Sequence, residues 1–239
     1  MYEYNVRIGF SQCDVNTILS ITELIDLFQD VSTFQSEDLG IGYDYLKKDN
    51  LAWVINYWEL DIIRLPRMCE TVTIGTAPYE FKGFLGHRNF WMKDDKGNYM
   101  VKANSLWTLM DLKALKPYKA PDELKQAYVL EEKLDMNYGS RKVLVPDEEK
   151  AEEKQPIQIQ SYHLDGNNHV NNGQYIKMAM SEIEEDIIPT GLRTDFRIQA
   201  KLGDVIYPVV YKSENRWVIA LNNSEGKPYS VTEIRGQIC

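Results

Sequence analysis

Residues 161–175 read Ser-Tyr-His-Leu-Asp-Gly-Asn-Asn-His-Val-Asn-Asn-Gly-Gln-Tyr, a density of hydrogen-bonding side chains that ordinary loops seldom carry. In an extended segment Asp165, Asn167 and His169, two residues apart, project to one side. A carboxylate, an amide and an imidazole meeting just ahead of a helix are the groups that hydrolysis of a thioester needs. His169 can take a proton near neutral pH, and Asp165 can fix its tautomer or activate a water. Asn167 can donate to the carbonyl or hold that water. The helix start that follows offers backbone N–H groups suited to a developing oxyanion. A plainer reading stands beside this one: Asp165 and Asn167 build an Asx turn and cap the helix, and His169 is a packed structural histidine.

The elements that must position these groups occur twice. Ser20 and Glu23 have capping-box spacing, and Ile21, Leu24, Ile25, Phe28 and Val31 recur at helical intervals, which predicts a helix over 20–38 ended by Gly40. A short helix over 41–48 follows. Stretches 53–64, 70–81, 87–93 and 98–112 are rich in Val, Ile, Thr and aromatics and are separated by Pro and Gly turns, so they read as antiparallel strands. The second half repeats the order: a strand over 157–163, a helix over 172–186 closed by Pro189, and strands near 194–200, 205–212, 217–221 and 230–236. In the repeat, Gln12-Cys13-Asp14-Val15-Asn16 aligns with His163-Leu164-Asp165-Gly166-Asn167, and Ile18 stands opposite His169. The charged stretch 146–155 reads as a linker or a solvated helix. The fold class is therefore α+β: two modules, each a long helix packed on an antiparallel sheet, paired as a pseudo-dimer. The boundaries fall at 1–135, a linker over 136–155, and 156–239.

Bulk properties exclude several classes. A net charge of −9 repels nucleic acid, although a local group such as Arg64, Arg67, Lys82 and Arg88 would suit an acidic protein. No run approaches the roughly 20 apolar residues of a membrane span, and the amino terminus lacks the pattern of a signal or plastid transit peptide. A bacterial cytoplasmic protein is expected. Three widely spaced cysteines without metal-ligand spacing argue against a disulfide framework or a metal site.

The pattern Asp-x-Asn-x-His-Val-Asn-Asn-x-x-Tyr over Asp165 to Tyr175 resembles the catalytic segment of the acyl-acyl-carrier-protein thioesterases, a tandem hotdog family. In the first half the stretch 58–66, Tyr79-Glu80-Phe81-Lys82-Gly83-Phe84, Arg88-Asn89-Phe90, Ser105-Leu106-Trp107 through Asp111 to Pro117, and Pro121-Asp122-Glu123-Leu124 are similar to that family's first hotdog domain. The resemblance spans nearly the whole chain. The His-Val-Asn-Asn element alone is shared with hotdog thioesterases acting on coenzyme A esters.

The resemblance implies two hotdog domains, the first for acyl-chain binding and specificity and the second catalytic. It implies hydrolysis of fatty acyl carrier protein to free fatty acid and carrier protein in fatty acid biosynthesis, by an activated water and without a cofactor. Asp165, Asn167 and His169 take the catalytic positions. Gln199 falls where the family tends to carry an acidic residue and Ala200 where plant members carry a cysteine, which argues against a cysteine nucleophile. Gln199 can hold water but cannot accept its proton, so the base is Asp165 or His169, unless Glu182 or Glu184 supplies the carboxylate. Other readings are an acyl-CoA thioesterase, a hydroxyacyl dehydratase and a non-catalytic acyl-binding module.

Weaker signals complete the sequence. Arg88 is a candidate contact for the carrier protein or its pantetheine, against a surface stem covering the sheet. Trp53, Trp58 and Trp107 line an acyl tunnel or pack the core. His87 and His163 read as structural. No serine-hydrolase elbow, Walker loop or dinucleotide fingerprint is present. The oligomeric state stays open, with a homodimer of whole chains as one option.

Overall fold

The Ser20 hydroxyl accepts a hydrogen bond from the Glu23 N–H at 3.2 Å and starts the long helix α1 (Ile21–Asp38). Gly40, at φ +72°, ends it in a conformation that costs a residue without Cβ little. A computed structural model of the chain describes residues 1–146, 151–166 and 168–238, so the acidic run 147–150, Cys239 and Asn167 lie outside the described residues. It divides into two compact units, Met1–Tyr138 and Gly139–Cys239.

The first unit runs β1 (Tyr2–Arg7), α1, α2 (Tyr43–Lys48), β2 (Leu51–Ile62), β3 (Thr71–Lys82), β4 (Leu85–Lys93), β5 (Tyr99–Asp111), β6 (Lys116–Pro117) and α3 (Asp122–Ala127). Its antiparallel sheet has the order β1-β3-β4-β5-β2, with the two-residue β6 on β5. Alternation along β4 assigns its faces. Arg88 and Phe90 meet α1, whereas Asn89 points to the opposite face, where its side-chain oxygen accepts from the Tyr138 hydroxyl and the Leu134 N–H. The apolar stripe of α1 is buried there: Phe28 lies 5.4 Å from the Phe90 ring and 6.2 Å from Trp58, and Trp58 is 4.9 Å from Phe90. Each such fully buried side chain contributes about 1.5–3 kcal/mol.

The second unit runs β7 (Ala151–Glu153), β8 (Ile157–Gln158), α4 (Asn172–Ser181), β9 (Ile187–Phe196), β10 (Val205–Ser213), β11 (Arg216–Asn222) and β12 (Pro228–Ile238). Its order is β9-β12-β11-β10-β7, with β8 on β10.

Four expectations need correction. The strand expected over 157–163 is limited to Ile157–Gln158, and Ser161–His163 is a 3-10 turn, because the loop ahead of α4 closes on Gln160 and Ser161. The helix expected over 172–186 stops at Ser181, and Pro189 lies inside β9, opposite Gly236, instead of beyond a helix end. Glu182, Glu184, Glu185 and Asp186 would extend α4 with four acids at its negative dipole end. The strand expected to reach Ala200 leaves the sheet after Phe196. Part of the stretch read as a linker or helix, Ala151–Glu153, is an edge strand paired with β10.

Candidate active site

The loop before α4 has a twin before α1, and the backbone hydrogen bonds match pair for pair. Cys13 N–H donates to Phe10 O, Thr17 N–H to Asp14 O and Ser20 N–H to Gln12 O in the first unit; Leu164 donates to Ser161, Asn168 to Asp165 and Asn171 to His163 in the second. Thr17 and Asn168 take the same left-handed conformation, at φ +60° and +59°. Gln12 Oε1 accepts from Gly9 N–H at 2.8 Å, and His163 Nδ1 does the same for Gln160 N–H at 3.0 Å. Each loop then hands over to a side-chain cap, Ser20 for α1 and Asn171, accepting from Gly173 N–H at 2.7 Å, for α4. The α4 start is thus not a bare cluster of donors, since the cap takes the Gly173 N–H.

The acid of each loop shares in this construction. Asp14 Oδ1 accepts from the Asn16 and Ile18 N–H groups, both at 2.9 Å. Asp165 Oδ1 accepts from His169 N–H at a longer 3.4 Å. The turn-building reading of the aspartate therefore holds in both copies. The imidazole is what separates them: Ile18 completes the first loop, so nothing in the loop's own architecture calls for a histidine at 169. The His169 ring is half-buried and makes no hydrogen bond among the described residues. Asn167, the third expected side chain, lies outside the described residues.

Gln199 lies close along the chain path. Val170, next to His169, donates its N–H to Ala200 O at 3.1 Å, and Ala200 N–H donates to the Tyr175 hydroxyl at 2.8 Å. Tyr175 is the last residue of the motif, and its buried hydroxyl thus clamps the 197–200 loop onto the loop that carries His169. Those two bonds are why the chain leaves the sheet after β9. Gln199 itself is exposed, one residue from the clamp. Burial pushes the Tyr175 hydroxyl well above the ordinary phenol range, and Tyr229, Asp204 and Asp165 add to the shift. Tyr175→Phe leaves the buried Ala200 N–H unpaired, so a loss of about 1–3 kcal/mol in a denaturant titration is expected, together with weakened turnover.

The carboxylates considered as substitutes are far away. Glu182 and Glu184 follow the C-terminal end of the ten-residue α4, about 15 Å along the helix from the loop at its start. Glu184 is paired with Lys154 at 2.6 Å, and burial raises the Glu182 carboxyl. The carboxylate the fold does bring to this neighbourhood is Asp204, which accepts from Lys201 N–H at 2.9 Å and from the Tyr229 hydroxyl at 3.3 Å. Sequence reasoning missed it: Asp204 stands in a Gly203-Asp204 turn with no motif around it to single it out. Among the described residues no three His, Cys, Asp or Glu side chains are grouped as a metal site would require.

His163 is buried, and burial with nearby Lys177 holds its imidazole below the ordinary histidine value. Its Nδ1 must stay unprotonated to accept from Gln160. A histidine with a depressed folded-state value contributes stability that is complete above the unfolded value, near 6.5, and is lost as pH falls through it. His163→Gln, the residue the first copy uses, keeps the acceptor and should flatten the acid side of a thermal-midpoint against pH curve.

Arg88 is neither a surface stem nor part of an exposed basic group. It is 8% exposed, donates to Gln35 Oε1 and to Thr76 Oγ1 (3.1 Å), and lies 5.2 Å from the Tyr128 ring, tying α1 to the sheet. Arg64 is held by Glu70 through two hydrogen bonds, at the opposite end of the twelve-residue β3 from Lys82. The four basic residues thus form no cluster. Trp58 packs the core, with its indole nitrogen buried and without a hydrogen-bond partner among the described residues. Cys13 and Cys69 are free thiols.

The acyl-ACP thioesterase N-terminal domain model matches residues 1–128, and the acyl-ACP thioesterase C-terminal domain model matches residues 146–227. The chain belongs to the acyl-ACP thioesterase family. It is 25% identical to a chloroplastic acyl-acyl-carrier-protein hydrolase of Cuphea viscosissima, across 90% of this chain and 59% of that protein. An oleoyl-acyl carrier protein thioesterase of Arabidopsis thaliana, also chloroplastic, is 24% identical across 80% of this chain and 58% of its own length. The chain thus spans a little under three-fifths of these two relatives. In fold it is similar to an acyl-ACP thioesterase of Bacteroides thetaiotaomicron (TM-score 0.87, 18% identity, 98% of this chain and 97% of that one). The 12:0-ACP thioesterase of Umbellularia californica gives 0.84 at 17% identity, across 100% and 97%. Each unit, a helix on an antiparallel sheet, is a hotdog fold.

Proposed function

We propose that this acyl-ACP thioesterase family member hydrolyses fatty acyl carrier protein to free fatty acid and carrier protein during fatty acid biosynthesis. The observation that carries the reading is the histidine at 169 in a loop whose twin is built equally well with isoleucine. The family models support the carrier-bound thioester as substrate class. His169 takes a proton from a water as that water attacks the thioester carbonyl carbon, and Asp165 steadies the resulting imidazolium. Asn167 donates to the oxyanion, and Gln199 holds the water. Collapse of the tetrahedral intermediate breaks the C–S bond, and the proton passes from His169 to the departing pantetheine sulfur. The first unit binds the acyl chain and the second carries the chemistry.

Among the described residues no helix is long and apolar enough to cross a membrane. Steady-state kinetics on matched acyl-carrier-protein and acyl-CoA esters test the proposal. A kcat/KM higher for the carrier ester by about tenfold or more, equal to about 1.4 kcal/mol in transition-state binding, is expected. A preference of that size for the CoA ester would make it an acyl-CoA thioesterase.

A further inference from the structure

Cys13 and Cys69 lie far apart in the sequence, yet both are held against the dipeptide that follows β1. The Cys13 thiol donates to Gly9 O at 3.3 Å, and the Cys69 N–H donates to Ile8 O at 2.9 Å. The segments around them are laced together as well. Leu19 N–H donates to Pro66 O and Met68 N–H to Thr17 O, both at 2.9 Å, and Ile18 bridges Arg67 as Cys13 bridges Leu19. The loop that ends at Ser20 and the connection 63–70 between β2 and β3 therefore share one patch of the first unit, with a thiol on each side. Cys69 is exposed and Cys13 is half-buried.

The backbone at Cys69 is unusual for a residue with a side chain. Ile8 faces two residues at once, a β-bulge, because its N–H donates to Glu70 O at 2.9 Å while its carbonyl accepts from Cys69. Cys69 is also the third residue of a turn closed by Glu70 N–H to Arg67 O at 3.1 Å, and its φ is +67°. Glycine fills such a position without steric cost. A cysteine there carries the cost and buries little in return, so the thiol itself is what the position adds over glycine. Burial, with Asp14 and Cys69 nearby, raises the Cys13 thiol above the ordinary cysteine value, which makes it a poor first attacker.

We propose that Cys13 and Cys69 are a redox pair that closes into a disulfide by exchange with a small-molecule disulfide such as oxidised glutathione. The exposed Cys69 thiolate attacks one glutathione sulfur, forms a mixed disulfide and releases the first glutathione as its thiol. The Cys13 thiolate then attacks the Cys69 sulfur and displaces the second. The two protein thiols give up two electrons and two protons, and the oxidant leaves as two thiols. The new bond fastens the loop that leads into α1 to the β2–β3 connection and restricts the unfolded chain over residues 13–69, so oxidation stabilises the first unit.

The test uses the full-length chain with Cys239→Ser, which leaves Cys13 and Cys69 as its two thiols. On treatment with oxidised glutathione, the titratable thiols should fall from two to none while the chain keeps its single-chain mobility on a non-reducing denaturing gel. Peptide mapping by mass spectrometry should find residues 13 and 69 in one linked pair, and dithiothreitol should release it. The thermal midpoint should rise by about 5–10 °C on oxidation and return on reduction. Cys13→Ser and Cys69→Ser should each form no internal link and show no such rise. Cys69→Gly, whose backbone suits φ +67°, serves as the well-folded control should a serine variant fold poorly, and it should lose the oxidative rise in the same way. Glutathione adducts on both cysteines without an internal link, cross-links between chains as the sole product, or thiols that stay titratable would each overturn the proposal. An internal link that leaves the midpoint unchanged would overturn its stabilising role.

Discussion

Replacing His169 with alanine should lower kcat on the carrier thioester by roughly 10²- to 10⁴-fold, the usual contribution of a positioned general base. The thermal midpoint should stay within about 2 °C of the wild type, as for a substitution that breaks no buried interaction. The two expectations separate because the loop is held by backbone groups. Asp165 N–H donates to His169 O at 2.9 Å and Val170 N–H to Ala200 O, whereas the imidazole makes no hydrogen bond among the described residues. His169→Ile, which copies Ile18 of the first loop, is the sharper control, since the first unit shows that this loop closes around isoleucine. A fully active His169→Ile protein would move the chemistry elsewhere and revive the reading of a packed structural histidine.

Asp165 separates construction from catalysis in a second way. Asp165→Asn keeps a side-chain oxygen that can accept the His169 N–H and removes the charge that would steady an imidazolium. A fall in kcat of about 10²-fold or more, with a near-native thermal midpoint, is expected. Asp165→Ala should add a loss of about 0.5–2 kcal/mol in stability, because the loop's acceptor goes with the charge. The first unit supplies the comparison: Asp14→Asn, in a loop without a histidine, should leave kcat unaltered. Equal activity of wild type and Asp165→Asn would assign Asp165 to the turn alone and leave His169 to act without a carboxylate partner. Asp204, held by Lys201 N–H and the Tyr229 hydroxyl, would then be the acid to test next.

Much of the fold could be read from local chemistry. The Ser20 cap, the stripe from Ile21 to Val31 and the Gly40 stop are all encoded within one helix length, and β2 to β5 begin and end within two residues of their aromatic and β-branched runs. Local pattern failed where neighbours in space took over. α4 ends at Ser181 because the acids that follow oppose its dipole and residues from Ile187 onward pair with β12. The 197–200 stretch is apolar and polar by turns, as a strand would be, yet Val170 and Tyr175 draw Ala200 out of the sheet. Arg88 carries a charge that normally marks a surface, and only the packing of Gln35, Thr76 and Tyr128 around it makes it internal.

For the site, the sequence by itself determined which residue types lie within a few positions of one another: an aspartate, an asparagine and a histidine ahead of a capped helix, and the same loop earlier in the chain without the histidine. That much is local, and spacing is enough to show it. The tertiary structure decided what those residues can reach, because hydrogen bonds between segments distant in sequence have no local signature. It pinned Ala200, and with it Gln199, beside the His169 loop, and put Glu182 and Glu184 at the far end of α4.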